Sequence, residues 1–327
     1  MRIEYELKPG QNSMEMSGGY GVKRKKLWRD IKKYRHLYLL MIPGVIYLIV
    51  NNYLPMAGLV IAFKRVNFQV GIWQSPWCGL ENFKYLFRTK DAWTITRNTI
   101  AYNVVFIVLA LIVSVALAVF LSEIKKMKLR SFHQACILIP YIISYVVVSY
   151  LVYAFLGTNG LVNKGILLPA GKGAVNWYME SKYWPFILVF VNTWKNAGYA
   201  SVIYLATILG FDESIYEAAM LDGASGWQKI RYLTLPLLKP TMITLTMLNV
   251  GRIFYSDFGL FYQVPQNSGA ILDVTNVLDT YVYRGLLELG DISMSSAAGL
   301  YQSLVGFAII LLANVLVRKI SPDDAMF

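Results

Sequence analysis

The sequence predicts an all-α membrane protein with six transmembrane helices, on three observations. Apolar residues make up 56% of the chain and charged residues only 15%, against roughly a quarter charged in an average soluble domain. Apolar runs recur that match the roughly 20 helical residues needed to cross a hydrocarbon core. Lys and Arg gather at the ends of those runs, where membrane orientation is set.

The predicted spans run, in order, over residues 37–63, 99–121, 132–156, 184–209, 241–263 and 296–317. Pro, Asn or Gly interrupts the first, third, fourth and fifth, so kinks are expected there, with the freed backbone groups satisfied by neighbouring helices or a cavity. The division that follows is a basic segment over residues 1–36, a transmembrane domain over 37–317 and a short tail over 318–327. The first twenty residues are polar and lack an apolar core, so no cleavable signal peptide is expected.

The net charge of +12 would suit a nucleic-acid partner taken alone. Here the basic residues mark topology instead, and membrane lipid rather than nucleic acid is the expected partner. Lys23, Arg24, Lys25 and Lys26 precede the first span; Lys125, Lys126, Lys128 and Arg130 follow the second; Lys229, Arg231 and Lys239 follow the fourth; Arg318 and Lys319 follow the sixth. The positive-inside rule therefore places both termini in the cytoplasm, with Cys78 outside. The outer loops carry Trp73, Trp77, Trp93, Trp177 and Tyr178, as an interfacial aromatic belt or a surface for sugar or a partner requires. Two cysteines, Cys78 and Cys136, and two histidines, His36 and His133, give no disulfide framework and no metal-ligand spacing.

The most informative segment lies between the fourth and fifth spans, within residues 210–240. From Glu213 to Pro236 it reads as helix, turn, helix. Ser214 with Glu217, and Ser225 with Gln228, have capping-box spacing. Gly223 suits a left-handed position after the first helix, and Pro236 and Pro240 are expected to close the second.

This stretch resembles the Glu-Ala-Ala loop of ABC importer permeases. Glu217, Ala218, Ala219, Gly223, Leu235 and Pro236 match the motif in spacing, and Leu233 stands where the motif has Ile. Further segments are similar to the MalF-like carbohydrate permeases, in particular their LplB-type polysaccharide and oligosaccharide subgroup. These are Asn52 to Phe63 (NYLPMAGLVIAF), Ser75 to Phe83 (SPWCGLENF), Trp194 to Tyr199 (WKNAGY), Asp279 to Arg284 (DTYVYR) and Ala297 to Val305 (AAGLYQSLV). The resemblance implies a type I ABC importer permease fold in a bacterial inner membrane. It also implies a second homologous permease, two ATPase subunits and an extracytoplasmic sugar-binding protein as partners, with an oligosaccharide as cargo. Glu217, Ala218, Ala219, Asp222, Gly223, Leu235 and Pro236 would couple to the ATPase. No G-x-x-x-x-G-K-[ST] motif occurs, so the chain should hold no cofactor, ATP and Mg being bound by the partner ATPase.

Polar residues inside spans are costly and mark cavities or partners. Asn192, Trp194, Lys195 and Asn196 form the densest group, Asn249, Arg252, Tyr255 and Asp257 a second, and Tyr141 and Tyr145 belong to a weaker stripe. They would line a path for a hydroxyl-rich sugar; alternatively, interhelical hydrogen bonds or a Lys195–Asp257 ion pair would hold the bundle. An importer for another substrate class, or an ATP-independent carrier, would share the spans and intramembrane charges, and only the carrier would leave the Glu-Ala-Ala loop without a purpose. A membrane-embedded enzyme is disfavoured, since no His, Cys or paired-carboxylate cluster occurs.

Overall fold

A computed structural model describes residues 33–320. The basic run Lys23–Lys26 and residues 321–327 lie outside the described residues. Among those described, extended pairing is limited to one bridge, Lys64 with Trp77, and the rest is helix, turn and irregular loop. The chain divides into two compact units, one ending at Val60 and one beginning at Ile61.

The first unit contains α1 (Arg35–Leu48), which exposes Leu39, Leu40 and Tyr47 along its length. One widened turn, Ile49–Tyr53, follows and leads into Leu54–Met56. The Leu54 N–H bonds back five residues to the Ile49 carbonyl, which makes room for Pro55, a residue with no N–H to give.

The second unit is built on α3 (Lys90–Ser122) and α6 (Trp184–Leu209), which pack along their lengths. Around them stand α2 (Glu81–Arg88), α4 (Met127–Ile142), α5 (Tyr145–Leu156), α7 (Glu213–Leu221), α8 (Gly226–Val250), α9 (Leu278–Leu287) and α10 (Ile292–Ile320). Three buried clusters hold these helices, apart from α7, which contributes to none of them. One gathers Tyr102, Trp184, Leu188 and Phe261; a second Leu121, Tyr204, Leu205 and Leu238; a third Leu86, Ile95, Phe254 and Leu278. Outward, α5 and α6 present Tyr150, Phe155, Phe186 and Phe190, a surface that suits lipid and not water.

Among the described residues, four helical runs are long and apolar enough to cross a membrane: Arg35–Phe63, Lys90–Ser122, Gly226–Val250 and Ile292–Val315. The bent pair α4–α5 makes a fifth if counted as one span. The expected fourth span, α6, has the length, but Asn192, Lys195 and Asn196 sit in its middle.

The spans differ from their sequence reading in three places. The third is not one straight helix: α4 and α5 meet at 93° across Ile143 and Ser144. Pro140 weakens the last turn of α4, and the Ser144 hydroxyl accepts the Val147 N–H to start α5. The fifth begins and ends earlier than expected. Pro236 and Pro240 do not close the preceding helix, because a widened turn at Ile230–Thr234 lets the Leu235 N–H bond to the Ile230 carbonyl and carries the helix past Pro236. That helix stops at Val250, and Gly251–Ser256 is irregular. The second span is longer than expected, and its 33 residues reach roughly 50 Å, beyond a hydrocarbon core of about 30 Å.

Side chains of α3 hold that irregular backbone and the later segment over residues 273–278. Asn103 donates to the Ile253 and Tyr255 carbonyls (2.9 and 3.3 Å), and Asn98 to the Asp273 and Asn276 carbonyls (3.0 and 2.9 Å). Tyr102 donates to the Val274 carbonyl (2.9 Å), and the Thr99 hydroxyl accepts from the Leu278 N–H (3.0 Å). From α10, Gln302 donates to the Phe254 carbonyl at 2.6 Å. Non-helical backbone near membrane depth persists only with such partners.

Candidate coupling hairpin and intramembrane polar band

The hairpin begins at Asp212, whose extended backbone and carboxylate cap α7; the carboxylate accepts the Ser214 N–H at 2.9 Å. This bond holds Asp212 below the ordinary carboxylate range. The expected capping box of Ser214 with Glu217 therefore does not form: Ser214 lies inside the first turn, and Glu217 is a turn beyond it. Glu217 is exposed and makes no ion pair among the described residues.

At its other end α7 closes in a Schellman motif. The Ala224 N–H reaches the Ala219 carbonyl at 2.9 Å, and the Gly223 N–H reaches Met220 at 3.1 Å. Gly223 has φ +79°, in the left-handed region, and open space where a side chain would stand. Asp222 is the residue before it and is exposed. Ser225 and Gln228 form the expected reciprocal box, with bonds of 2.7 and 3.4 Å. Tyr216 on α7 meets Thr234 on α8 through their hydroxyls at 3.1 Å, tying the two arms together.

The hairpin surface is apolar at its tip. Leu221 is 90% exposed, and Trp227 and Tyr232 about two thirds exposed. A shallow cavity of about 310 Å³ lies between Ala219, Asp222, Gly223, Gln228, Tyr232 and Leu233. Ala218 and Pro236 are exposed and Leu235 is half-buried.

The polar band centres on Lys195, which is buried at 5% exposure. Its ammonium donates to the carbonyls of Pro140 (3.2 Å), Tyr141 (2.8 Å) and Ile143 (2.5 Å). It also lies 4.8 Å from the Tyr145 ring centre and 5.7 Å from that of Tyr141. Asn196 donates to Asn192 at 2.9 Å, one turn away on the same helix. The Tyr145 hydroxyl is buried without a hydrogen-bond partner among the described residues. Asp257 makes no ion pair with Lys195; its carboxylate caps the Leu260 N–H at 3.2 Å.

Other members of the band stand apart. Trp194 points the other way, into an apolar groove of about 540 Å³ with Phe155, Phe186 and Phe190. Asn249 lines a small cavity with Tyr199 and Tyr204. Arg252 and Tyr255 are exposed in the break after α8, where the Tyr255 and Ser303 hydroxyls are 3.5 Å apart. Tyr199 was not singled out from sequence. It stacks on Tyr141 at 4.4 Å with the planes 10° apart, half-exposed, and its one signal was its place one turn after Lys195.

The chain matches the family described as "Binding-protein-dependent transport system inner membrane component" over residues 107–322. It is 31% identical over 294 residues to Protein LplB of Bacillus subtilis (strain 168), covering 90% of this chain and 92% of that protein. It is 32% identical over 302 residues to the polygalacturonan/rhamnogalacturonan transport system permease protein YteP of the same organism, covering 92% and 93%. Among solved structures, it is similar to a chain of a bacterial ABC transporter involved in the import of the acidic polysaccharide alginate. That likeness has TM-score 0.82 and 30% identity, and covers 90% of this chain and 99% of that one. A structure of the bacterial alginate transporter in complex with an alginate pentasaccharide-bound periplasmic protein matches at TM-score 0.81 and 30% identity, over 90% and 98% of the two chains.

Proposed function

The chain belongs to the binding-protein-dependent inner-membrane transport family, as a permease of the carbohydrate ABC importers, and from that premise we infer that it forms half of a path for oligosaccharides or polysaccharide fragments. It is the transport component and lacks ATPase activity of its own. In this reading it crosses the membrane six times with both ends in the cytoplasm, α6 and the bent pair α4–α5 each counting as one crossing. It pairs with a second similar permease, and two ATPase subunits bind ATP and Mg. An extracytoplasmic protein delivers the sugar, a reading supported by the periplasmic protein seen with the alginate transporter.

The observation that carries the coupling role is the continuity of α8. The helix starts in the exposed hairpin and runs without a break for 25 residues, roughly 37 Å. It ends at Val250, beside Asn249, Arg252 and Tyr255 of the polar band. In this reading motion at the hairpin reaches the path through one continuous helix. The exposed Glu217, Leu221 and Trp227 suit a groove on the ATPase, and Ala218 and Ala219 permit close approach. ATP closes the ATPase dimer, the hairpin follows, and α8 swings the path between outward and inward openings.

Lining of the path by Tyr141, Tyr145, Asn192, Asn196, Asn249, Arg252, Tyr255 and Asp257, with Trp194 and Lys195 behind them, follows from the need of a sugar for donors, acceptors and flat aromatic faces. Tyr199 joins that set through its stack with Tyr141. The test is uptake in reconstituted vesicles by the complete importer carrying Glu217→Gln. Assembly with the ATPase should persist, and sugar-stimulated ATP hydrolysis should fall. Unchanged stimulation would remove Glu217 from the coupling contact.

A further inference from the structure

A helix that ends inside a membrane has a problem that a helix ending in water does not. Its last four carbonyls have no intrahelical partner, and no solvent is present to take them. Here α4 ends at Ile142, and the chain turns by 93° before α5 begins. Three of the carbonyls at this end, those of Pro140, Tyr141 and Ile143, converge on one ammonium, that of Lys195 on α6. An ammonium has three donors, and all three are used. The negative end of the α4 dipole also favours a cation there.

The surrounding packing leaves little freedom. Gly198, one turn after Lys195, lies so close to α4 that a Cβ there would run into the Ile137 carbonyl oxygen. Tyr145 is held between the ammonium and the backbone of Gly259, where a Cβ would fall 2.5 Å from its ring. Tyr141 lies over the same ammonium and stacks its half-exposed ring on Tyr199. The two tyrosines thus flank the break, and the cation at its centre touches both.

We propose that Lys195 is a positioning residue of the transport path: it closes the broken end of α4, fixes the angle between α4 and α5, and so sets where Tyr141 and Tyr145 stand, without itself contacting the sugar. With every donor committed to a carbonyl and the side chain buried, it has none left for a passing hydroxyl. The proposal rests on the reading that these tyrosines line the path.

The test uses the assembled importer in lipid nanodiscs and proteoliposomes. Spin labels are placed at the exposed native Cys136 on α4 and at Tyr150→Cys on the exposed face of α5, with Cys78→Ser to remove the other thiol. The parent should give one narrow distance. Lys195→Met keeps the length and removes the donors; it should broaden and lengthen that distance and lower uptake about tenfold while ATPase co-purification persists. In a Tyr141→Ala/Tyr145→Ala background, Lys195→Met should add less than about twofold, because residues acting as one unit are non-additive. Should the Met variant not assemble, Lys195→Gln, with two donors, goes through the same measurements and is expected to fall between parent and loss. An unchanged distance and unchanged uptake in Lys195→Met would overturn the proposal, and impaired tyrosine variants beside it would leave the path reading intact. A full tenfold loss added on top of the tyrosine variants would also overturn it, by assigning Lys195 a direct contact. Normal uptake in the tyrosine variants themselves would overturn the path reading and the proposal together.

Discussion

Replacing Gly223 perturbs the proposed coupling hairpin and nothing else in the protein. Its φ of +79° is left-handed, and nothing lies within 4 Å of where a Cβ would point. A side chain there therefore meets no clash, and the cost is purely that of the backbone. For an ordinary residue that cost is about 1–2 kcal/mol, a factor of roughly 5–30 in the population of the closed Schellman turn. A β-branched residue costs more, and Asn, which tolerates this region, less. The expected order of damage is thus Val, then Ala, then Asp or Asn. Such losses are too small to unfold the buried clusters around α3 and α6, so the permease should remain in the membrane. What should change is the angle between α7 and α8, and with it, in the proposed coupling, the seating of Glu217, Leu221 and Trp227. The assay is sugar-stimulated ATP hydrolysis by the purified importer, with co-purification of the ATPase as the control for assembly. Gly223→Val should depress stimulation strongly and Gly223→Asn mildly. Full stimulation and full uptake with Val at 223 would show that this turn does not set the docking surface.

Three further outcomes follow from the same geometry. Loss of the Ser225–Gln228 box in Ser225→Ala should weaken the start of α8 by about 1 kcal/mol, read as faster amide exchange over residues 226–229. Asp212 is held below the ordinary carboxylate range by the Ser214 N–H, so its cap is present at neutral pH and is lost only as pH falls through that lowered value; exchange of the first turn of α7 should rise at acid pH in the parent and not in Asp212→Asn. In a cell with an intact membrane, an impermeant thiol reagent should reach Cys78 from outside and not the cysteine of Arg24→Cys, and the reverse labelling would invert the topology.

Local chemistry was legible where a residue's role depends on its near neighbours in sequence. Gly223 and the Ser225–Gln228 pair are of this kind, since a left-handed C′ position and an S-x-x-Q spacing are set within a few residues. Where two local signals competed, sequence alone chose the wrong one: Asp212 and Ser214 both stand at the start of α7, and the acid, standing in extended backbone just before the helix, takes the cap. The prolines were misread because a widened turn can absorb a missing N–H. The same device, a bond to the residue five back, precedes Pro55 and Pro236 alike. The break between α4 and α5 was only half legible. Pro140 advertised a kink, but the 93° angle depends on an ammonium supplied from α6 by a residue more than fifty positions away. For the same reason the polar band reads as a cluster in sequence and separates in space. Trp194 and Lys195 are neighbours in the chain, yet a helix points them toward an apolar groove and toward the α4 carbonyls respectively. Tyr199 carried no polar signature and emerged only through its stack on Tyr141.

In the proposed mechanism this chain moves sugar only when an ATPase drives it through the hairpin. The direct measurement is uptake of a labelled oligosaccharide into vesicles holding this chain with its partner permease and ATPase, with the binding protein outside and ATP inside. Uptake should require all four components and ATP, and should be lost with Gly223→Val while the complex remains assembled. Uptake by this chain without the ATPase, driven by an ion gradient alone, would make it a secondary carrier instead.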